Sequence, residues 1–225
     1  MDTLLQDLRY AARKLLHAPG FTFVVVATLA LAIGATTAIF SIVNGVLLKP
    51  LPFQNPEQLV FVASTGRESQ TNPMSTPDFI DYRDQSKSFV GMAAIDTRTM
   101  NVTSNGSEPA RVRAAQVGAQ FLDLLGVTAQ RGRNFTVGED KDGAPRVVVL
   151  GDGLWRTLYG ADPSIVGQQI RLDGEVYTVA GVAPPSLKFP ADVDLYIPFV
   201  FAPWQLDPRN RGAHSHYAIA RVKDG

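Results

Sequence analysis

Apolar and polar positions divide the chain into three stretches of different rhythm. In residues 1–20, Leu4, Leu5, Leu8, Ala11, Ala12, Leu15 and Leu16 fall within an arc of about 140° on a helical wheel, with Asp7, Arg9, Arg13 and Lys14 opposite. That spacing predicts a short amphipathic helix, capped by Asp2 or Thr3, lying in a membrane interface or against a partner. Pro19-Gly20 is the expected break behind it. In the second stretch no Asp, Glu, Lys or Arg occurs between Lys14 and Lys49, and residues 21–48 are almost wholly apolar. As a helix rising about 1.5 Å per residue they would extend roughly 42 Å, more than a hydrocarbon core of roughly 30 Å requires. A secretory signal would be apolar over only about 7 to 15 residues and would end on a small-x-small cleavage site. Asn44-Gly45-Val46-Leu47-Leu48-Lys49-Pro50 offers no such site, so the pattern predicts an uncleaved transmembrane helix over 21–48.

Beyond Pro50-Leu51-Pro52 the rhythm changes to short strands and short helices. Residues 59–63 read as a buried strand. Ser75-Thr76-Pro77-Asp78 reads as a helix start, with a capping hydroxyl, a proline in the first turn and an early acid, and that helix is expected to carry Phe79 and Tyr82 inward. Strands are expected at 90–95 and 110–117, then a helix over 121–125 closing on Gly126. A second region opens with a strand at 146–150 and a helix capped by Asp152 that runs through Trp155 and Tyr159 to Gly160. Asp173-Gly174 between two alternating runs over 169–179 marks a two-residue hairpin, because both turn positions favour positive φ. Alternation returns at 217–222 and stops on Lys223-Asp224-Gly225, a turn signal that leads to no further element. The expectation is an α+β protein of which this is the N-terminal portion.

Within the apolar helix Ala30, Gly34 and Ala38 recur at every fourth position. A strip of small residues lets another helix approach closely. Ala and Gly are also common in membrane helices in general, so both readings stand at this point. Arg9, Arg13 and Lys14 upstream outnumber Lys49 and Arg67 downstream, which favours a cytoplasmic N-terminus and an extracytoplasmic bulk.

The 21 basic residues balance the 21 acidic ones, which gives no support to nucleic-acid binding. There is no cysteine, so disulfides and thiolate metal sites are excluded. Gly-x-x-x-x-Gly-Lys-Ser/Thr, Gly-x-Ser-x-Gly and His-Glu-x-x-His are absent, so any ATP hydrolysis must come from elsewhere. His214 and His216 would share one strand face, which suits a metal only if Asp192 or Asp194 supplied a third ligand; otherwise they are polar residues leading into the last strand. Asp78, Asp81 and Asp84 could share a helix side, where acids favour the helix dipole without further function. Aligning Gly143 of Glu139-Asp140-Lys141-Asp142-Gly143 with the glycine of a calcium loop puts Gly138 and Val149 at key ligand positions, so a solvated loop is expected. Asn101, Asn105 and Asn134 head Asn-x-Ser/Thr triplets, which matter only in a eukaryotic secretory setting. No catalytic, metal or cofactor set is expected, and an anchored hydrolase lacks a nucleophile with a matched base.

Gly20-Phe21-Thr22 opening the apolar helix, Lys49-Pro50-Leu51-Pro52-Phe53 closing it and Pro77-Asp78-Phe79-Ile80-Asp81-Tyr82 heading the first soluble helix resemble MacB-like and FtsX-like ABC transporter permeases. The resemblance continues through Phe121-Leu122-Asp123-Leu124-Leu125-Gly126-Val127, Gly132-Arg133-Asn134-Phe135, Glu139-Asp140, Val148-Val149-Leu150 with Leu154-Trp155, Ile165-Val166-Gly167 and Tyr177-Thr178-Val179-Ala180-Gly181-Val182. It covers the whole chain and is closest to the duplicated orphan permease branch. It implies a cytoplasmic or interfacial helix over 1–20, a transmembrane helix over 21–48 and a MacB-like periplasmic core domain over 49–225. That domain would comprise two α+β subdomains, about 55–137 plus 214–225 and about 138–213, and would be incomplete at its C-terminal end. The implied setting is the bacterial inner membrane, with a separate ABC ATPase subunit, further transmembrane helices and a permease dimer as partners. Efflux or mechanotransmission is the implied activity. The rival from another class is a single-pass, membrane-anchored binding or adhesion domain.

Overall fold

The computed structural model describes residues 6, 10, 13, 15–43, 53–65, 71–103, 109–191 and 193–223. The chain divides into two units, Met1–Leu51 and Pro52–Gly225. In the first unit most of the expected amphipathic helix lies outside the described residues, although Gln6, Tyr10, Arg13 and residues 15–17 are helical. Helix α1, Pro19–Val43, follows after an interruption at Ala18, so Pro19 and Gly20 form its first turn. Residues 44–48 of the expected span lie outside the described residues. Among the described side chains of α1 none is buried within the chain, and the apolar surface extends all round. A helix of that kind requires a non-aqueous surrounding. Three of its hydroxyls are adapted to one: Thr22 donates to Leu15 O (2.6 Å) and Ala18 O (3.0 Å), Thr28 to Val24 O (2.8 Å) and Thr36 to Ala32 O (2.7 Å), so these protons need no partner from the surroundings.

The second unit is built on strands β1 (Leu59–Val62), β2 (Ser64–Thr65), β3 (Thr71–Asn72), β4 (Met74–Ser75), β5 (Phe89–Thr103), β6 (Ala110–Val117), β7 (Arg131–Gly132), β8 (Val147–Leu150), β9 (Gln169–Leu172), β10 (Glu175–Val182), β11 (Leu195–Pro198) and β12 (His214–Val222). Helices α2 (Thr76–Gln85), α3 (Phe121–Leu124) and α4 (Asp152–Tyr159) pack against them. Among the described residues one ten-stranded sheet runs β1-β12-β5-β6-β11-β8-β10-β7, with β4 beside β12 and β9 beside both β10 and β5; β2 and β3 form a separate ladder.

Strand alternation sorts the core. One face carries Ala93, Ile95, Ala115, Val117, Val149, Tyr196 and Ile219 against Phe121, Leu122 and Leu125 in a continuous cluster. The opposite face carries two clusters. Met92, Ala94, Ala218 and Ala220 pack on Phe79 and Phe199. Met100, Val102, Val112, Ala114, Val148, Leu195 and Ile197 pack on Leu154 and Trp155. The interruption has a sequence cause: on β5 the positions of that face between Ala94 and Met100 are Asp96 and Arg98, and Asp96 pairs with Gln116.

Local signals explain most element ends. Ser75 Oγ accepts from Asp78 N (3.2 Å) and caps α2, as expected. Phe79 is buried but Tyr82 is 57% exposed, because the buried arc of α2 runs through Thr76, Phe79 and Ile80 and Tyr82 falls outside it. The cap of α4 is Gly151, not Asp152: a Cβ at 151 would lie 2.6 Å from Asp194 O, so the capping position admits only glycine. Asp152 instead sits in the first turn, accepting from Arg156 (2.8 Å) and Gln130 (2.7 Å). Asp173 and Gly174 adopt φ of 48° and 84° as the hairpin requires, and Asp173 Oδ1 accepts from Asn101 N (2.8 Å), docking the turn on β5. β5 continues past 95 to Thr103, and β12 begins at His214, three residues earlier than the alternation suggests.

On β10 a bulge sets Val179 opposite Val148 and Gly181 opposite Val149. The extra residue reverses the alternation, so Val179 and Val182 face one core while Ala180 and Ala183 face the other. A Cβ on Gly181 would lie 2.5 Å from Arg133 O and 2.8 Å from Arg131 O, both backbone. We expect Gly181→Ala to destabilise the domain by about 2 kcal/mol or more in urea unfolding. Gly153→Ala in α4, where a Cβ meets nothing within 4 Å, should raise stability by up to about 1 kcal/mol. Equal effects of the two substitutions would contradict the bulge argument.

Candidate functional site: polar joints around β12

β12 reads His214-Ser215-His216-Tyr217-Ala218-Ile219-Ala220-Arg221-Val222. Arg221 keeps the phase of Ile219 and so lies on the side of α3, at the rim of that core. Its Nε and Nη2 donate to Leu124 O (2.8 and 2.6 Å). Nη2 also donates to Gln54 O (2.7 Å), and Nη1 to Asn55 O (3.2 Å) and Gln58 Oε1 (3.1 Å). The carbonyls that end a helix lack intrahelical donors and carry partial negative charge, which suits a guanidinium. Gln54 N adds a bond to Leu125 O (3.3 Å). One side chain thus fastens the last strand, the end of α3 and residues 54–58, which follow the apolar helix in sequence.

A second joint ties the loop before β12 to α2. Arg211 donates to Asp78 Oδ1 and to Asp81 Oδ2, each at 2.6 Å. Asp84 is not part of this joint and pairs with Arg83 (2.7 Å). Burial tends to raise the Asp78 carboxyl, but hydrogen bonds from Ser75 and Arg211 outweigh it and hold the group below its ordinary value. These pairs are solvated, so each contributes on the order of 0–1 kcal/mol and serves chiefly to orient the loop.

The two histidines do not share a site. His214 Nδ1 meets Pro73 O (2.7 Å) at the surface, whereas His216 is fully buried. The ladder to β4 shifts register between them. The His216 ring packs against Phe199 and Phe201 (5.3 Å each) and Phe79 (5.5 Å); Ser215 Oγ lies 3.1 Å from Nδ1, and Nε2 has no partner among the described residues. Asp194 is a strap between strands: its Oδ2 accepts from Arg113 N (2.8 Å) and its carbonyl from Gly151 N (2.8 Å). Asp192 lies outside the described residues. Among the described residues no three His, Asp or Glu side chains are placed to hold a metal. In the 139–143 loop, Glu139 accepts from Arg133 (2.6 Å) and Thr136 N (2.8 Å), and Asp140 from Ala119 N (3.0 Å). Their carboxylates are engaged with the chain itself.

Ala30, Gly34 and Ala38 are exposed on α1, and a Cβ built on Gly34 meets nothing within 4 Å. Among the described residues one apolar helix, Pro19–Ser41, is long enough to cross a membrane.

The family of MacB-like periplasmic core domains matches residues 22–225. The chain belongs to that family. Domains of this kind are parts of ABC-type transporter permeases, and the apolar helix beside a MacB-like domain fits an inner-membrane setting. The fold is shared with the periplasmic region of MacB from Actinobacillus actinomycetemcomitans, at 16% identity and a TM-score of 0.54, covering 74% of each chain. It is also shared with a domain assigned to a permease protein from Porphyromonas gingivalis, at 14% identity and a TM-score of 0.58, covering 77% of this chain and 76% of that one. No curated protein matches significantly.

Sequence reasoning missed Arg221 and Arg211. An arginine inside the otherwise apolar Ala218-Ile219-Ala220-Arg221-Val222 run was the available signal for the first; nothing in the sequence pointed to the second.

Burial holds His216 down to about pH 4 from an ordinary 6.5. The folded MacB-like domain therefore keeps it neutral where the unfolded chain takes up a proton, so stability is complete above pH 6.5 and falls as pH drops towards 4. The full loss would be about 3 kcal/mol. We expect urea midpoints measured from pH 7.5 to 4.5 to decline, and His216→Phe to flatten that slope. An unchanged slope in the variant would assign the decline to other groups.

Proposed function

We propose that this chain is the permease subunit of an ABC-type transporter whose separate ATPase subunit drives movement of the periplasmic domain, for efflux or for work in the envelope. The N-terminus lies in the cytoplasm and residues 49–225 in the periplasm. Ala30, Gly34 and Ala38 form the side of α1 on which further transmembrane helices pack, within a permease dimer. The domain moves as two lobes, about 55–137 with 214–225 and about 138–213, joined along β5 and β6. The division of one sheet face into two clusters supports a two-lobed organisation, with Met100, Val102, Val112 and Ala114 packing in the core of the second lobe and Phe199 in that of the first.

The observation that carries this reading is the Arg221 joint. A displacement of the membrane helix arrives along the chain at residues 54–58. A loose loop would absorb it, whereas the guanidinium passes it to β12, and β12 pairs with β5 from Tyr217 to Val222.

Two outcomes follow. The protein has no cysteine, so Thr3→Cys and Val137→Cys can be labelled separately in intact cells with an impermeant thiol reagent; Val137 is 82% exposed and should react, and Thr3 should not. The reverse result would invert the orientation. In the permease reconstituted with its cognate ATPase, a spin label at Val137→Cys should report an ATP-dependent change, which Arg221→Gln abolishes while ATP hydrolysis continues. An intact response in a folded Arg221→Gln protein would remove the joint from the coupling path.

A further inference from the structure

Between the two clusters on the divided sheet face a cleft of about 430 Å³ opens under the loop at 139–146, within the roughly 300–1000 Å³ typical of small-molecule sites. Its walls include Arg98 of β5, Lys141 of the loop, Tyr177 of β10, and Ile197 and Val200 at and beyond the end of β11. The charges around it sort cleanly. Glu139 is paired with Arg133 (2.6 Å) and Arg146 with Glu175 (3.0 Å), so both sets are closed. Among the described residues, Arg98 and Lys141 have neither a hydrogen bond to their side-chain nitrogens nor an ion pair, and the Tyr177 hydroxyl has no intramolecular partner. Asp142 is the one unpaired acid in the lining, so the open groups sum to a single positive charge beside an apolar edge.

Arg98 is also out of place by the logic of the fold. It occupies a position on the face that elsewhere carries Ala94, Met100 and Val102, and its presence there, with Asp96, is what separates the two clusters. A guanidinium so placed offers paired donors suited to a planar carboxylate.

We infer that this cleft binds a small organic carboxylate, with Arg98 and Lys141 on its charge, the Tyr177 hydroxyl as a further donor, and Ile197 and Val200 along its apolar body. The carboxylate belongs either to a free acid or to the carboxyl terminus of a short peptide. The site stands on its own residues and is independent of the coupling reading above.

The test is calorimetric titration of the full chain in lipid nanodiscs, with empty nanodiscs as the blank. 3-Phenylpropionate is compared with its neutral amide, and the peptide Ala-Ala-Phe with its C-terminal amide. At least one acid should bind saturably while its amide binds about tenfold more weakly or not at all. Arg98→Gln and Lys141→Gln should each weaken the acid about fivefold, as expected for loss of one solvated charge contact. Asp142→Asn should tighten it, a change of sign that a merely structural residue would not produce. Tighter binding of the free-terminus peptide than of phenylpropionate assigns the site to peptide termini, and the opposite order to free acids. Equal binding of acid and amide, no saturable binding by either acid, or affinities unmoved in the three variants would overturn the proposal. All three substitutions are at exposed positions, and an unchanged thermal midpoint checks that each variant is folded.

Discussion

A strand of fifteen residues needs neighbours along its whole length, and β5 meets that need by changing partners as it goes. Phe89 to Ile95 pairs with β12, Ile95 to Val102 with β6, and Val102 and Thr103 with β9. β1, β4, β10 and β11 are positioned through one of these partners, and β7 and β8 one step further out, through β10 and β11. The face that packs on α3 can therefore stay continuous while the other face is divided. Neighbouring polar positions, Asp96, Arg98 and Gln116, are enough to divide it, because an apolar cluster cannot run across them without stranding a charge.

The side-chain joints complement the sheet. Asp173 holds the β9–β10 turn on β5, Asp194 bridges β6 and the start of α4, Arg211 holds the loop before β12 on α2, and Arg221 holds residues 54–58 on α3. In each case a charged side chain ties a loop or turn residue to a strand or a helix. Solvated ion pairs add little stability, but a guanidinium or carboxylate engaging several backbone groups fixes geometry and contributes more.

The features legible in the sequence are those encoded locally. The uncharged run predicted α1, Ser75 and Gly160 marked helix ends, and Asp173-Gly174 marked its hairpin. The motifs spread over the chain were sufficient for the family. What stayed hidden depends on partners distant in sequence. Asp96, Thr97, Arg98 and Thr99 read as the end of a strand, yet β6 continues the ladder alongside them. Tyr82 has the side chain of a core residue and the angular position of a surface one. The engagements of Asp194 and His214 were hidden too, because residue type alone cannot reveal that a backbone amide and a carbonyl meet them. Arg221 became informative only once β12 was seen to end beside α3.

The bulge at Gly181 acts as a parity switch written into the primary structure. Upstream of it, odd-numbered residues of β10 address one core; downstream, even-numbered residues do. The two halves of one strand are thus encoded in opposite phase. Deleting a residue there would not merely shorten the strand: it would turn Val182 and Ala183 to the wrong sides of the sheet. The spacing around Gly181 is therefore under a stricter constraint than the identity of most residues beside it, and a relative that keeps the fold with an altered spacing must carry its extra residue at another point in the strand.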